Sequence, residues 1–132
     1  EISSLLEAHG CDPFMGFYHA PEYGRSSLAL DLCEEFRAVV IDRMSLYLVK
    51  QGVFRPADFE PEKGGCYLVK EGLKRFYGEY EKWMRRDLGF KEPTCLRDLL
   101  RRQVERMVKA VDSSVPYYPL EYGENDVYCG EL

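Results

Sequence analysis

An all-α fold is what this 132-residue chain predicts: a helical bundle of about four main helices, with irregular loops and at most a small β-hairpin. Apolar residues recur at helical spacing through three long windows, glycine and proline gather between those windows, and hairpin-like chemistry is confined to a few residues around Gly64-Gly65. At this length the chain reads as one domain, large enough to bury a core of its own.

The elements follow in order. Ile2, Leu5, Leu6 and His9 mark the end of a helix that Gly10 closes. Residues 10–27 form a loop punctuated by Gly10, Pro13, Gly16, Pro21 and Gly24, and it presents His19. A long helix is predicted from about Leu28 to Gln51, with Leu32, Phe36, Val39, Val40 and Tyr47 on its apolar side and Gly52 as its stop. Residues 53–68 are irregular, with Pro56 and Pro61 as breakers and Gly64-Gly65 as a hairpin turn before Cys66-Tyr67-Leu68. A third helix carries Val69, Leu73, Phe76, Tyr77, Tyr80, Trp83, Met84 and Leu88 at helical spacing. Thr94 is the expected cap of a fourth, whose inner face is Leu96, Leu99, Leu100, Val104, Met107, Val108 and Val111. The tail from Ser113 holds Pro116-Tyr117-Tyr118-Pro119-Leu120 and then acidic charge only, which leaves docking on its own domain and contact with a partner protein both open.

No window reaches the about 18 apolar residues of a membrane span, and no signal-peptide pattern opens the sequence. Five cysteines (Cys11, Cys33, Cys66, Cys95 and Cys129) are scattered without a Cys-x-x-Cys pair, the usage of free thiols in a reducing cytoplasm. The net charge of −5 is unevenly distributed: residues 1–69 carry −5, residues 70–109 carry +5, and residues 110–132 carry −5. Arg97, Arg101, Arg102, Arg106 and Lys109 on the fourth helix, with Lys74, Arg75, Lys82, Arg85 and Arg86 on the third, are candidate phosphate contacts as a group, although any one of them also reads as solvated surface.

The chemistry-bearing stretch is Gly10 to Arg37. His19 ends the glycine- and proline-punctuated loop, and the helix that follows carries Asp31, Glu34 and Glu35. At 100° per residue, Asp31 and Glu35 lie about 40° apart around the axis, with Glu34 about 60° to the other side of Asp31. The three therefore form one acidic stripe that continues through Ala38 to Asp42. Like charges on adjacent turns repel unless a cation neutralises them. One imidazole facing carboxylates suits magnesium or manganese better than structural zinc, which takes a closed set of sulfur and nitrogen ligands. Solvated capping acids and a core histidine are the plain alternatives.

Gly-x-Asp-Pro-x-x-Gly-Phe-x-His at residues 10–19, followed by Tyr-Gly-Arg-x-Ser-Leu-Ala-Leu-Asp-Leu-x-Glu-Glu-Phe-Arg at residues 23–37, resembles the catalytic domain of CRISPR-associated protein 1, the integrase that inserts new spacers into CRISPR arrays. The resemblance continues at Asp42-Arg43, Asp58-Phe59, Gly64-Gly65-Cys66-Tyr67-Leu68, Gly72 and the helix around Leu99 to Val108. It implies a metal-binding histidine at His19, a metal-binding carboxylate at Glu34 and a supporting carboxylate at Asp31, with Mg2+ or Mn2+ as cofactor. Glu35 and Arg37 match family sequence without being implied ligands. Tyr18, Ser26 and Cys33 depart mildly from the pattern, and none of the three replaces a ligand.

The family's further ligand is a glutamate on a helix well upstream of the histidine, and Glu1 and Glu7 stand too close to His19 to be that residue. The expectation is therefore that residues 1–132 are the C-terminal helical catalytic domain, incomplete without the upstream β-rich domain and the first ligand helix, and inactive alone. The implied reaction is a transesterification in which a DNA 3′-hydroxyl attacks a phosphodiester at the edge of a repeat. The implied partners are duplex or branched DNA, CRISPR-associated protein 2 and a second copy of the full-length protein. Two alternatives of other classes are a non-enzymatic helical interaction module and a different metal-dependent nuclease.

Overall fold

A computed structural model of the chain describes residues 1–87 and 94–120. Within them the chain forms α1 (Ile2–Ala8), α2 (Ser27–Phe36), a π-helical stretch (Arg37–Asp42), α3 (Arg43–Lys50), a 3-10 turn (Pro56–Asp58), β1 (Phe59–Glu62), β2 (Gly65–Leu68), α4 (Lys70–Met84) and α5 (Leu96–Ser113). The helical class and the small hairpin are as expected. The run predicted as one helix from Leu28 to Gln51 is instead two α-helices joined by the π stretch, so five α-helices stand among the described residues. Val40 and Ile41 within that stretch are β-branched, a class of residue that loses side-chain freedom against the preceding turn of an α-helix and so has a lower α preference.

Glycines end two of the helices in the way the sequence requires. Gly10 has φ +75° and donates to Glu7, while Cys11 donates back to Leu6, a Schellman closure of α1. Gly52, at φ +60°, repeats the arrangement after α3, with its own N–H on Val49 and the Val53 N–H on Leu48. α5 begins one residue later than the expected Thr94 cap: the Cys95 N–H and thiol both donate to Asp98, and Thr94 is buried just outside the helix.

β1 and β2 pair antiparallel with Phe59 opposite Leu68 and Glu62 opposite Gly65. The hairpin is fastened to α4 by Asp58, whose buried carboxylate accepts two bonds from Arg75 (3.1 and 2.8 Å) and one from the Arg55 N–H (2.7 Å). Gly72 permits this approach, since a Cβ there would lie 2.9 Å from the Asp58 carbonyl oxygen.

α1 packs on α2 and α5, and α5 also meets α2 and α4. Leu6, Leu28, Leu32, Met84 and Val104 are almost completely buried where these helices converge, with Phe36, Met44, Leu48, Trp83, Leu96, Leu100 and Met107 around them. Burying one such large apolar side chain is worth about 1.5–3 kcal/mol, so this convergence is the main source of stability. The face predicted for the third helix is only partly inside: Trp83 and Met84 are buried, Phe76 and Tyr80 half-buried, and Leu73 and Tyr77 exposed, while Leu88 lies outside the described residues. On α5 the expected inner face is buried except at Val111, which is exposed, and at half-buried Leu99 and Val108.

Candidate functional site

The loop before α2 is held against that helix by its own backbone. The Leu28 N–H donates to the Pro13 carbonyl (2.9 Å), Asp12 accepts the Phe14 N–H (2.9 Å), and the fully buried Ser27 hydroxyl donates to the Ala20 carbonyl (3.2 Å). A short bridge between Glu22 and Arg25, turned at Gly24 with φ +73°, brings the chain back to the helix start. Gly16 lies directly on α2: a Cβ there would sit 2.6 Å from the Ser27 Cβ and 2.9 Å from an Asp31 carboxylate oxygen. The loop that delivers His19 can run this close to the helix only because residue 16 has no side chain.

Asp31 gathers the whole segment. Its Oδ2 accepts the N–H groups of Phe17 (2.6 Å) and Tyr18 (3.1 Å), and its Oδ1 accepts the N–H of His19 (2.9 Å) and the ring Nδ1 of the same residue (2.6 Å). Burial alone would raise the Asp31 carboxyl, but the Tyr18 N–H, the His19 ring and the His19 and Phe17 N–H groups outweigh it and hold the carboxyl below its ordinary value. Asp31 thus fixes the backbone of the loop and the orientation of the imidazole together. With Nδ1 directed at Asp31, Nε2 is the ring nitrogen left for another ligand. The Tyr18 ring meets the His19 ring edge-on, centroids 5.3 Å apart.

Glu34 stands one turn beyond Asp31 on the same helix, with its side chain 42% exposed and Arg37 at 3.0 Å. Glu35 does not share that environment. Its carboxylate accepts the Gln103 amide (2.7 Å), the Leu120 N–H (2.8 Å) and the Tyr117 hydroxyl. Gln103 also donates to the Tyr117 oxygen (2.9 Å) and to the Tyr118 carbonyl (3.3 Å), and its own oxygen accepts Arg106 (2.8 Å). Burial, followed by the bond to Glu35, pushes the Tyr117 hydroxyl far above its ordinary value and keeps it a donor.

The single acidic stripe expected from helical phase is therefore divided. All three carboxylates project from α2, but Asp31 serves the loop, Glu35 serves α5 and the tail, and Glu34 remains the most open. The extension to Asp42 rests on an α-helical period that the π stretch interrupts. Among the described residues, no group of three or more histidine, cysteine, aspartate and glutamate side chains is gathered as a complete metal site.

Several of the expected phosphate contacts have structural partners instead. Arg75 clamps Asp58, and Arg97 bonds Glu1 (2.7 Å) and Glu81 (2.9 and 3.0 Å), tying α1 and α4 to the start of α5. Lys74, Lys82, Arg85 and Arg101 form pairs within their own helices, and Arg86 lies over the Trp83 ring at 5.5 Å. Sequence reasoning missed Gln103. Its position between Leu100 and Met107 on the buried face of α5 is the signal, because a polar side chain on such a face needs partners.

Residues 1–82 match the family described as CRISPR associated protein Cas1. A CRISPR-associated endonuclease Cas1 of Thermodesulfovibrio yellowstonii is 48% identical over 86 residues, 64% of this chain and 27% of that protein. A CRISPR-associated exonuclease Cas4/endonuclease Cas1 fusion of Geobacter sulfurreducens is 37% identical over 122 residues, 90% of this chain and 22% of that protein. The solved structure of a Cas1 protein from Thermotoga maritima superposes with a TM-score of 0.75 at 26% identity, covering 89% of this chain and 37% of that one. The chain thus spans about a fifth to a third of the length of the curated relatives it matches.

Proposed function

The chain belongs to the CRISPR-associated protein Cas1 family, and on that premise we propose that it forms the histidine- and carboxylate-bearing part of a metal-dependent DNA integrase and endonuclease that inserts spacers into CRISPR arrays. The observation that carries this reading is the Asp31–His19 contact at 2.6 Å, with Glu34 one turn further along the same helix. A carboxylate on Nδ1 fixes the tautomer of a ligand histidine and raises its basicity, which is how outer-shell carboxylates support metal-bound imidazoles.

The donor set fits a divalent cation as part of a shell. His19 Nε2 and the Glu34 carboxylate would hold Mg2+ or Mn2+, with the remaining protein ligand, a glutamate by the family resemblance, supplied by residues outside these 132. When bound, the cation supplies Lewis-acid polarisation of a phosphate oxygen. Asp31 keeps the imidazole aimed and its Nδ1 proton in place. Glu34 contributes negative charge, and Arg37 competes for that charge when no cation is bound. His19 ligates only when Nε2 is unprotonated, so metal binding weakens in acid. The substrates are a DNA 3′-hydroxyl and a phosphodiester at a repeat edge, and the reaction exchanges one phosphodiester for another. Duplex or branched DNA, CRISPR-associated protein 2 and a second copy of the complete protein are the proposed partners.

The test is Mn2+ binding by electron paramagnetic resonance, alongside strand joining, in the complete protein. His19→Ala and Glu34→Ala are expected to lose both while keeping a cooperative melt. Wild-type Mn2+ affinity in both variants refutes the site, and cleavage without joining favours the plain nuclease.

A further inference from the structure

Glu34 has little of its own to fix it. Its pair with Arg37 is solvent-exposed and spans one helical turn, a class of contact that restrains a side chain weakly. It also sits in the last turn of α2, immediately before the helix passes into the π stretch at Arg37. A π stretch changes the number of residues per turn, so the α ladder of α2 supports the phase of this turn from its N-terminal side only.

The neighbouring Glu35 is where that phase is held. α5 is followed by Ser114 in a left-handed conformation (φ 50°), and the chain runs back along α5 so that Tyr117 and Tyr118 reach Gln103, more than two turns before the helix end, and Leu120 reaches Glu35. From this strap the Tyr117 hydroxyl and the Leu120 N–H donate to Glu35, and from α5 the Gln103 amide does the same, with Arg106 bonded to the far side of Gln103. Three donors from two distant segments converge on one half-buried carboxylate. Apolar packing would hold a strap in place without the desolvation cost of a carboxylate. What a fully partnered buried polar network adds is a single geometry.

We infer that Glu35, Gln103 and Tyr117 are positioning residues: by locking the last turn of α2 to α5 and to the strap of residues 115–120, they set the rotation at which Glu34 faces His19. The inference rests on the proposed role of Glu34 as a metal ligand. The three side chains bond one another, so their proposed effect on the metal runs through Glu34.

The experiment compares Tyr117→Phe and Glu35→Gln in the complete protein, with Glu34→Ala as reference. Mn2+ affinity by electron paramagnetic resonance, thermal melting, and kcat and KM for strand joining are measured on each. Tyr117→Phe and Glu35→Gln are expected to weaken Mn2+ binding about tenfold, the low end of what removing outer-shell support does. kcat falls in parallel and the KM for DNA is unchanged. Tyr117→Phe removes a single hydroxyl, so it tests the inference even where Glu35→Gln fails to fold. A lowered melting temperature with wild-type Mn2+ affinity assigns the strap a purely structural role and overturns the inference. Wild-type protein whose Mn2+ binding does not depend on Glu34 overturns the proposed metal site itself, and the positioning role with it.

Discussion

Replacing Asp31 by asparagine isolates what holds the His19 loop in place. The carboxylate receives four donors, two on each oxygen: Phe17 and Tyr18 N–H on Oδ2, and the His19 N–H and Nδ1 on Oδ1. An amide keeps one oxygen, so whichever way it turns, two of the four groups lose their charged acceptor. A hydrogen bond to a charged acceptor is worth about 1.5–3 kcal/mol net. Phe17 and Tyr18 are exposed, so water compensates part of their loss and the lower figure applies to each. Two bonds then come to about 3 kcal/mol, roughly a hundredfold in the ratio of open to closed loop. That is less than the about 5–15 kcal/mol that holds a typical domain together, so the fold survives while the loop opens. Amide hydrogen exchange reads this directly. In Asp31→Asn, protection at Phe17, Tyr18 and His19 is expected to fall about a hundredfold, while the amides of Leu32 and Val104 exchange as in the wild type. Unchanged protection in the loop refutes the assignment of Asp31 as its anchor.

Gly16→Ala places a methyl group 2.6 Å from the Ser27 Cβ and 2.9 Å from both the Ser27 carbonyl carbon and an Asp31 oxygen; forced overpacking of this kind costs about 1–3 kcal/mol and should appear as a lower melting temperature. Arg75→Met leaves the buried Asp58 carboxylate with only the Arg55 N–H among its described partners, and the loss should approach the low end of the about 3–5 kcal/mol for a broken buried pair because Arg75 itself is 39% exposed. Urea denaturation of that variant and of Asp58→Asn/Arg75→Met checks it, the double variant being the less destabilised. Because Asp31 titrates below its unfolded value, its contribution to stability is complete above about pH 4 and is lost as pH falls through the depressed folded value. The acid melting profile of Asp31→Asn should lack that component.

What was legible in the sequence divides along the range of the interactions. The loop, the helix after it and the hairpin follow from local chemistry: Gly10 and Gly52 end helices as glycines at positive φ do, and Gly64 turns the hairpin at φ +103°. His19, Asp31 and Glu34 were legible as candidates from their spacing. That Asp31 binds three consecutive backbone N–H groups as well as the ring was not, because those groups carry no side-chain signature. The π stretch was equally hidden: β-branched residues weaken an α-helix without specifying what replaces it. Gln103 and Tyr117 lie 68 and 82 residues from Glu35, and no local period connects them.

The division of labour among three carboxylates on two helical turns has a physical logic. Placed together in solvent they would repel one another, and a cation would be needed to hold the stripe together. Here two of the three charges are met inside the protein by different partners. Asp31 is neutralised by backbone N–H groups and an imidazole, its side chain only 10% exposed, and Glu35 by an amide, a phenol and a backbone N–H. Each of these partner sets also carries structure: the first delivers His19, the second closes the strap onto α5. Glu34, between them in the sequence but at one edge of the stripe, is left with one surface arginine. A cation of the proposed kind would claim that charge without dismantling the fold, and the helix is anchored on both sides of it.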